Sequence, residues 1–390
     1  MKIDHVHFYV EDAKIWRDWF VRHLGFQVVA DSAVLPTFLE KADNIPWKAR
    51  EDDTFHTCTQ VVKSGPICFL LSSPLLPTSP VAEFLRYHPP GVADVAFCVE
   101  NLEEIISLAQ VHGAKILQPI QQNQYGQECI KWSKIAAWGS LTHTLIETTG
   151  GGNEETRESQ RITESGSVEK YPSLFPSSSS WFAGIDHIVL NVNAGDLEHA
   201  VAWYENILNF QGQQTFNIKT SRSALHSQVM VSRSGDVQLP INEPGSANSQ
   251  IQEFLNVNQG SGIQHIALRT RNIVHAIAQF RASGLSLLPV PQDYYSQVRQ
   301  RKGLPLSIDE LDTIAGQEIL VDWKQETFFG SKNNRTPLLL QIFTQPIFGQ
   351  PTFFFEFIER RYQAQGFGEG NFRTLFAAIE NEQIKRGSLG

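Results

Sequence analysis

Three side chains far apart in the sequence have the types that hold a redox-active metal. Glu356 lies among Phe353, Phe354, Phe355, Phe357 and Ile358, an aromatic and β-branched run that reads as a buried strand. A carboxylate buried there without a partner would be costly. Two earlier strand-like runs each carry a histidine after a short polar entry: Ile185-Asp186-His187-Ile188 and Ile263-Gln264-His265-Ile266. Two imidazoles and one carboxylate on strands are the ligand set of a non-haem iron(II) facial triad, which keeps positions open for substrate and oxygen. Taken singly, each residue reads as readily as a satisfied core histidine or a salt-bridged glutamate. The set is what points to a metal.

The rest of the chain must position these residues. At 390 residues it exceeds one ordinary core, so two domains are expected. A hydrophobic content of 41% with 25 phenylalanines provides ample material for burial. No run of about 18 apolar residues occurs, which excludes a spanning helix. The N-terminus, Met1-Lys2-Ile3-Asp4-His5-Val6-His7, enters strand-like sequence at once, with no apolar signal core, so a cytoplasmic protein is expected. Cys58, Cys68, Cys98 and Cys129 stand singly, which disfavours a zinc site or redox dithiol and fits buried free thiols. A net charge of -9 without a basic run argues against nucleic acid or an anionic membrane as partner.

A pattern recurs along the chain. A strand through Asp4-His5 leads into a helix over Ala13–Leu24 stopped by Gly25, and strands follow over Thr57–Val62 and Pro66–Leu71, joined by Ser64-Gly65. A second copy starts at Ala93-Asp94 and closes on Leu141–Glu147, a third starts at Asp186-His187, and a fourth at Gln264-His265. Between copies two and three, Gly150–Ser180 is rich in Gly, Ser and charge, and reads as a linker. The expected domains are therefore 1–150 and 181–390, with 151–180 between them. Copy four carries an insertion from about Pro289 to Pro337, in which Leu304, Leu306, Ile308 and Leu311 mark a short packed element. Insertions of that length in a compact domain often form walls or lids. Aligning the copies sets His5 against His187, Asp94 against His265 and Glu147 against Glu356. One imidazole is lost, so the first half is expected to be structural.

Near the C-terminus, Phe372, Leu375, Phe376 and Ile379 keep i, i+3, i+4, i+7 spacing, with Arg373, Glu380, Glu382 and Lys385 assigned to the wet side. Asn371 is placed as an N-cap, and Gly366, Gly368 and Gly370 precede it as a flexible approach. The pattern predicts a helix that closes over the site as a lid.

Several long motifs, taken in order, resemble the 4-hydroxyphenylpyruvate dioxygenase family of the vicinal oxygen chelate superfamily. They are Gly184–Ile188, Leu239-Pro240-Ile241-Asn242-Glu243-Pro244, Ser249–Glu253, Gly262–Leu268, Leu340–Thr344, the Glu356 strand and Gly366–Phe372. The resemblance covers nearly the whole chain. It implies an α+β fold of paired βαβββ modules forming curved half-barrel sheets, with His187, His265 and Glu356 binding iron(II). It implies Gln264, Gln341 and Phe372 as catalytic residues, and Ser227, Asn242, Gln250, Phe343, Phe354, Phe367 and Asn371 as substrate contacts. Gln264 sits awkwardly, since strand alternation points it away from the face of His265. The implied reaction takes 4-hydroxyphenylpyruvate and dioxygen to homogentisate and carbon dioxide, in a homo-oligomer, dimer or tetramer. Two rivals share the fold: 4-hydroxymandelate synthase, disfavoured by Phe372 and Pro240, and a metal-free module binding a small aromatic, disfavoured by the intact triad.

Overall fold

The computed structural model describes residues 1–29, 56–125, 127–150, 180–220, 223–291, 293–323 and 336–387. The expected linker, apart from Ser180, and the Arg373 side chain lie outside the described residues. The first sheet uses β1 (Lys2–Tyr9), β2 (Gln27–Val28), β3 (Thr57–Ser64), β4 (Ile67–Pro74), β5 (Gly91–Cys98), β6 (Ile116–Tyr125), β7 (Glu128–Ala136) and β8 (Thr142–Thr149). The second uses β9 (Phe182–Asn191), β10 (Gln211–Lys219), β11 (Ala224–Val231), β12 (Gln238–Pro244), β13 (Gly262–Thr270), β14 (Leu320–Trp323), β15 (Leu338–Phe343) and β16 (Phe354–Arg361). Their strand orders are the same: β2-β3-β4-β1-β5-β8-β7-β6 and β10-β11-β12-β9-β13-β16-β15-β14. In each sheet the leading strands of two βαβββ modules run antiparallel at the centre, and the closing strands flank them in parallel. The second sheet curls around a cavity lined by residues of its central strands.

Helices α1 (Ala13–Leu24), α3 (Leu102–Val111), α4 (Leu197–Leu208) and α6 (Ile273–Ala282) belong to the four modules, and α2 (Pro80–Tyr87) and α5 (Gln250–Asn258) connect them in pairs. The reasons for the α1 boundaries are local. Asp12 accepts the Lys14 and Ile15 N–H groups, and Gly25 takes the left-handed conformation (φ 68°) that ends the helix. The two halves share one core. Phe8 meets Phe353 edge to face at 5.2 Å, and Phe69 stacks on Phe355 at 6.0 Å. His143 Nε2 and the buried Tyr204 hydroxyl are 3.0 Å apart across the same junction. Each fully buried phenylalanine contributes roughly 1.5–3 kcal/mol, so either half alone would expose a large apolar face.

Three expectations need correction. The segment read as an insertion supplies β14, the edge strand of the second sheet, besides α7 (Tyr294–Gln300) and α8 (Ile308–Gly316). Within it Leu311 is buried and Leu304 and Leu306 are half-buried, but Ile308 is exposed. Among the cysteines only Cys68 is buried; the other three are half-buried, and none of the four is in a disulfide. Finally, β8 pairs with β5 so that Asp94 faces Thr142 and Phe97 faces Leu145, whereas in the second sheet Ala267 faces Glu356 and Leu268 faces Phe357. That register puts Thr144, not Glu147, at the position of Glu356. Glu147 instead matches Glu359: each carboxylate accepts the first N–H of a module helix at 2.7 Å, Leu102 in one half and Ile273 in the other. A three-residue offset is easily hidden when both strands carry a glutamate.

Candidate metal centre and active site

His187, His265 and Glu356 come from β9, β13 and β16, three adjacent strands at the centre of the curled sheet. Ala267 lies in register with both His187 and Glu356. Its small side chain lets the flanking residues lean toward each other, and His187 Nε2 approaches Glu356 Oε2 to 3.2 Å. His265, two residues along β13, brings Nε2 to 3.7 Å from the same oxygen. The three donors lie within 4.8 Å of one another, all on buried or nearly buried side chains.

Two irregularities in pairing make this possible. Between Ile263 and His265 the β13–β9 register shifts by one residue, leaving Gln264 as the extra residue of a bulge. Alternation is broken there, so Gln264 and His265 both line the cavity, against the expectation from strict alternation. A second shift, between Ala267/His187 and Leu268/Ile185, makes Asp186 the extra residue on β9. Its Oδ1 lies 3.0 Å from His187 Nδ1, while Arg360 clasps the carboxylate through Nε and Nη2 at 2.8 and 2.7 Å. With Nδ1 engaged by Asp186, His187 presents Nε2 to the centre.

The electrostatics suit a cation. Burial would lower the His187 pKa, but Glu356 and the Asp186 hydrogen bond outweigh it and push it up to about 9. Burial, with help from His187, holds His265 well below its ordinary value. Burial would raise Asp186, yet hydrogen bonds from Arg360 and His187 keep it below the usual carboxylate range. The Glu356 and Asp186 carboxylates thus favour positive charge at this point, while burial favours the neutral form of His265. The residues fit a metal of nitrogen and oxygen preference with positions left open.

Every residue named from the sequence as a candidate lines one cavity of about 90 Å³ with the triad. Phe354 stacks on the His265 ring at 4.7 Å, Phe367 packs on His187 at 5.1 Å, and Phe372 meets Phe216 edge to face at 5.3 Å. Ser227 and Asn242 face each other across β11 and β12, and Asn242 Nδ2 donates to Asn191 Oδ1 at 3.3 Å. Gln250 opens α5 behind the Ser249 cap. The Gln341 N–H groups are both spent: Nε2 donates to Glu356 Oε1 at 2.8 Å and to the Phe367 carbonyl at 3.0 Å. A larger groove, lined by Arg269, Arg271, Glu359 and Arg361, contains none of the triad.

One wall of the cavity is formed by α9 (Phe372–Arg386), entered through a short 3-10 turn at Glu369–Asn371. Leu375, Phe376 and Ile379 face the cavity. Glu380, assigned to the wet side, is buried and accepts hydrogen bonds from Thr220 and Ser223, both at 2.7 Å. The helical period explains this, because 372, 376 and 380 fall on one face. Asn371 makes no side-chain cap; its amide is spent on Gln341 and Tyr294. The preceding glycines serve close approach. A Cβ on Gly368 (φ 76°) would lie 1.9 Å from Gln341 Oε1, and one on Gly370 would lie 2.1 Å from Asp322 Oδ1. At its far end α9 is tied to α5 by Arg386 Nη2, 2.9 Å from Glu253 Oε2.

Sequence reasoning missed Asp186, Arg360, Tyr294 and Asp322. Asp186 stood next to a proposed ligand, which was the available signal; Tyr294 and Asp322 join the site through long-range pairing, and Arg360, four residues beyond Glu356 on β16, reaches Asp186 only across the sheet. The apolar wall of Phe216, Ile218, Leu225 and Val229 was also missed, although its i, i+2 alternation on β10 and β11 was visible.

Two packed βαβββ pairs with two histidines and a carboxylate inside one cup define a protein of the vicinal oxygen chelate class. In agreement, residues 184–303 match the profile of the Glyoxalase/Bleomycin resistance protein/Dioxygenase superfamily. A solved triple variant of 4-hydroxymandelate synthase from Streptomyces coelicolor shares the fold, with a TM-score of 0.76 at 22% identity over 98% of each chain. Closer in sequence are the 4-hydroxyphenylpyruvate dioxygenases of Coccidioides posadasii, 34% identical over 99% of this chain and 94% of that one, and of Caenorhabditis briggsae, 34% identical over 99% and 93%. The counterpart from Yarrowia lipolytica is 33% identical over 99% and 93%. The chain belongs to the 4-hydroxyphenylpyruvate dioxygenase family, and is a dioxygenase. Among the described residues no helix is long and apolar enough to cross a membrane.

Proposed function

We propose that the chain is an iron(II)-dependent enzyme that converts 4-hydroxyphenylpyruvate and dioxygen into homogentisate and carbon dioxide, a step of tyrosine catabolism and of quinone and tocopherol precursor supply. The observation that carries this reading is the convergence of His187, His265 and Glu356 on one point inside a phenylalanine-walled cavity, in a chain of this family. These three residues would hold the iron, which when bound supplies the site for the 2-oxo acid and the oxygen and the redox chemistry between them. The chain's other residues bind, orient and exclude water. Phe343, Phe354, Phe367 and Phe372 offer apolar ring faces to the substrate. Ser227, Asn242, Gln250 and Gln264 offer neutral hydrogen-bonding groups for its phenol, with no charge to neutralise. Gln341 holds Glu356. The 1–150 half is assigned a structural role: Asp94 receives the Thr142 hydroxyl and lies 3.8 Å from Lys134 Nζ, and Thr144 replaces the carboxylate ligand.

The cavity of about 90 Å³ is well below the roughly 300 Å³ or more of ordinary small-molecule sites. The described conformation is therefore closed, and α9 is assigned as the lid that lifts for substrate entry. A second small cavity, between α9 and the turn at Pro346–Thr352, shares Gln250, Gln264 and Phe343 with the first and ends at Glu253 and Arg386. It offers a way out once that ion pair opens.

The rival outcome is oxygen placed on the benzylic carbon, giving 4-hydroxymandelate. Phe372 and Pro240, both lining the cavity, favour attack on the ring. The test is turnover of iron(II)-loaded protein in air with product chromatography. Homogentisate, with one carbon dioxide released per dioxygen consumed, is expected. 4-Hydroxymandelate would transfer the chain to the synthase reading, and substrate binding without oxygen uptake would leave a binding module.

A further inference from the structure

A line of four buried hydrogen-bonding groups runs from the edge of the second sheet to the centre of the site. Tyr294, on α7, has its hydroxyl 2.8 Å from Asn371 Oδ1. Asn371 Nδ2 donates to Gln341 Oε1 at 3.0 Å, and Gln341 Nε2 donates to Glu356 Oε1 at 2.8 Å. Tyr294, Asn371, Gln341 and Glu356 are all buried. The direction of the line is forced from the carboxylate end. A carboxylate only accepts, so Gln341 must turn its amide nitrogen toward Glu356 and its oxygen toward Asn371. Asn371 must then turn its nitrogen inward, which leaves its oxygen needing a donor. Tyr294 supplies that donor.

The tyrosine is itself fixed. The Val321 N–H donates to its oxygen at 2.7 Å, and the Val321 carbonyl lies 3.0 Å away. Both belong to β14, the edge strand, so the phenol occupies backbone groups that no neighbouring strand pairs. Burial outweighs the Val321 hydrogen bond and holds the phenol above its ordinary pKa, so it remains a donor at any working pH. The turn carrying Asn371 is clamped beside it, because Asp322 on β14 accepts the Gly370 N–H at 3.0 Å.

We infer that Tyr294 is a positioning residue: its hydroxyl satisfies Asn371 Oδ1, so keeping the Asn371 and Gln341 amides in the sense that Glu356 requires, and through them holds Glu356 toward His187 and His265. The inference rests on the reading of Glu356 as a metal ligand. Removing the hydroxyl leaves the buried Asn371 oxygen without that donor, which loosens Asn371 and, through it, the pose of Gln341. Glu356 Oε1 then loses its fixed donor, while the apolar packing of the ring is unchanged.

The experiment is anaerobic titration with cobalt(II), followed by its ligand-field spectrum, on the full chain, three single variants and one double variant. Tyr294→Phe is expected to weaken cobalt(II) binding about tenfold, the lower end of what loss of an outer partner costs a metal site, and to shift the ligand-field bands. Tyr295→Phe is the control, because that hydroxyl donates to the Ile319 carbonyl at 2.9 Å and stands outside the line; it is expected to bind cobalt(II) as the unaltered chain does. Asn371→Asp keeps an acceptor for Tyr294 but cannot donate to Gln341, and is expected to weaken binding similarly. The Tyr294→Phe/Asn371→Asp double variant should be no weaker than the worse single, since both break one line. Unchanged affinity and spectrum in Tyr294→Phe, equal weakening in Tyr295→Phe, or fully additive losses in the double variant would each overturn the inference while leaving the metal reading in place. Absence of saturable cobalt(II) binding by the unaltered chain would overturn both.

Discussion

Arg360→Leu removes the guanidinium that clasps Asp186. In the native protein that guanidinium donates twice to the carboxylate, at 2.7 and 2.8 Å, and also to the Gly366 carbonyl at 2.8 Å. The substitution therefore strands a buried anion and frees the turn leading to α9. Losing one partner of a buried pair typically costs about 3–5 kcal/mol. With an unfolding entropy of roughly 2 cal/mol/K per residue, a chain of 390 residues melting as one core moves by about 1 °C per kcal/mol, so a fall of about 5 °C is expected at pH 7. The pH dependence follows from the direction of the shift. Asp186 is held below its ordinary value in the folded chain, so its stabilisation is present above the unfolded carboxylate range and is lost as pH falls through the folded pKa. The gap between native and variant should thus be widest near neutrality and should narrow below about pH 4, where the stranded carboxyl of the variant takes up a proton. The assay is calorimetric melting of metal-free protein at pH 7 and pH 3. A variant melting within a degree of the native chain at pH 7, or a gap that widens in acid, would refute the reasoning.

Other outcomes are equally definite. Phe372→Ile should move part of the product from homogentisate to 4-hydroxymandelate, read by chromatography, and an unchanged product at normal rate contradicts the role given to that ring. Gly368→Ala, whose Cβ would collide with Gln341, should lower turnover by an order of magnitude or more at saturating iron; wild-type kcat would show that the turn has room to spare. Arg386→Ala should raise hydrogen exchange across residues 372–383 by opening the tie to Glu253, and exchange equal to that of the native chain argues against a latch. Cys68, whose thiol burial pushes up to about 12, should be the last cysteine to react with a thiol reagent in the native protein at pH 8, as mass spectrometry of partly labelled protein can establish.

Much of the architecture was legible because local chemistry and burial pattern agreed. Helix α1 runs over the residues its apolar spacing and Gly25 indicated, and the four repeated strand-and-helix openings correspond to four modules in two sheets of the same order. The chemistry-bearing residues were legible by type, since a histidine after a polar entry and a glutamate inside a phenylalanine run are unusual in buried strands. What stayed hidden depends on register, which no single strand contains. The bulges at Gln264 and Asp186 exist only relative to β9 and β13, and the match of Glu147 to Glu359 appears only when β8 is paired with β5. Tyr294 and Arg360 act through partners 77 and 174 residues away. Glu380 was misjudged because charge was given more weight than helical phase, though its burial is satisfied by two hydroxyls.

The central claim is that one metal, held by His187, His265 and Glu356, binds the 2-oxo acid. Anaerobic addition of iron(II) to the chain with 4-hydroxyphenylpyruvate present tests it most directly, by the charge-transfer absorption of an iron-bound 2-oxo acid. The account predicts a band that saturates at one iron per chain and is absent in His187→Ala, His265→Ala and Glu356→Ala, each still folded by circular dichroism. Saturation at two irons per chain, or a band that survives loss of any of the three residues, would contradict it.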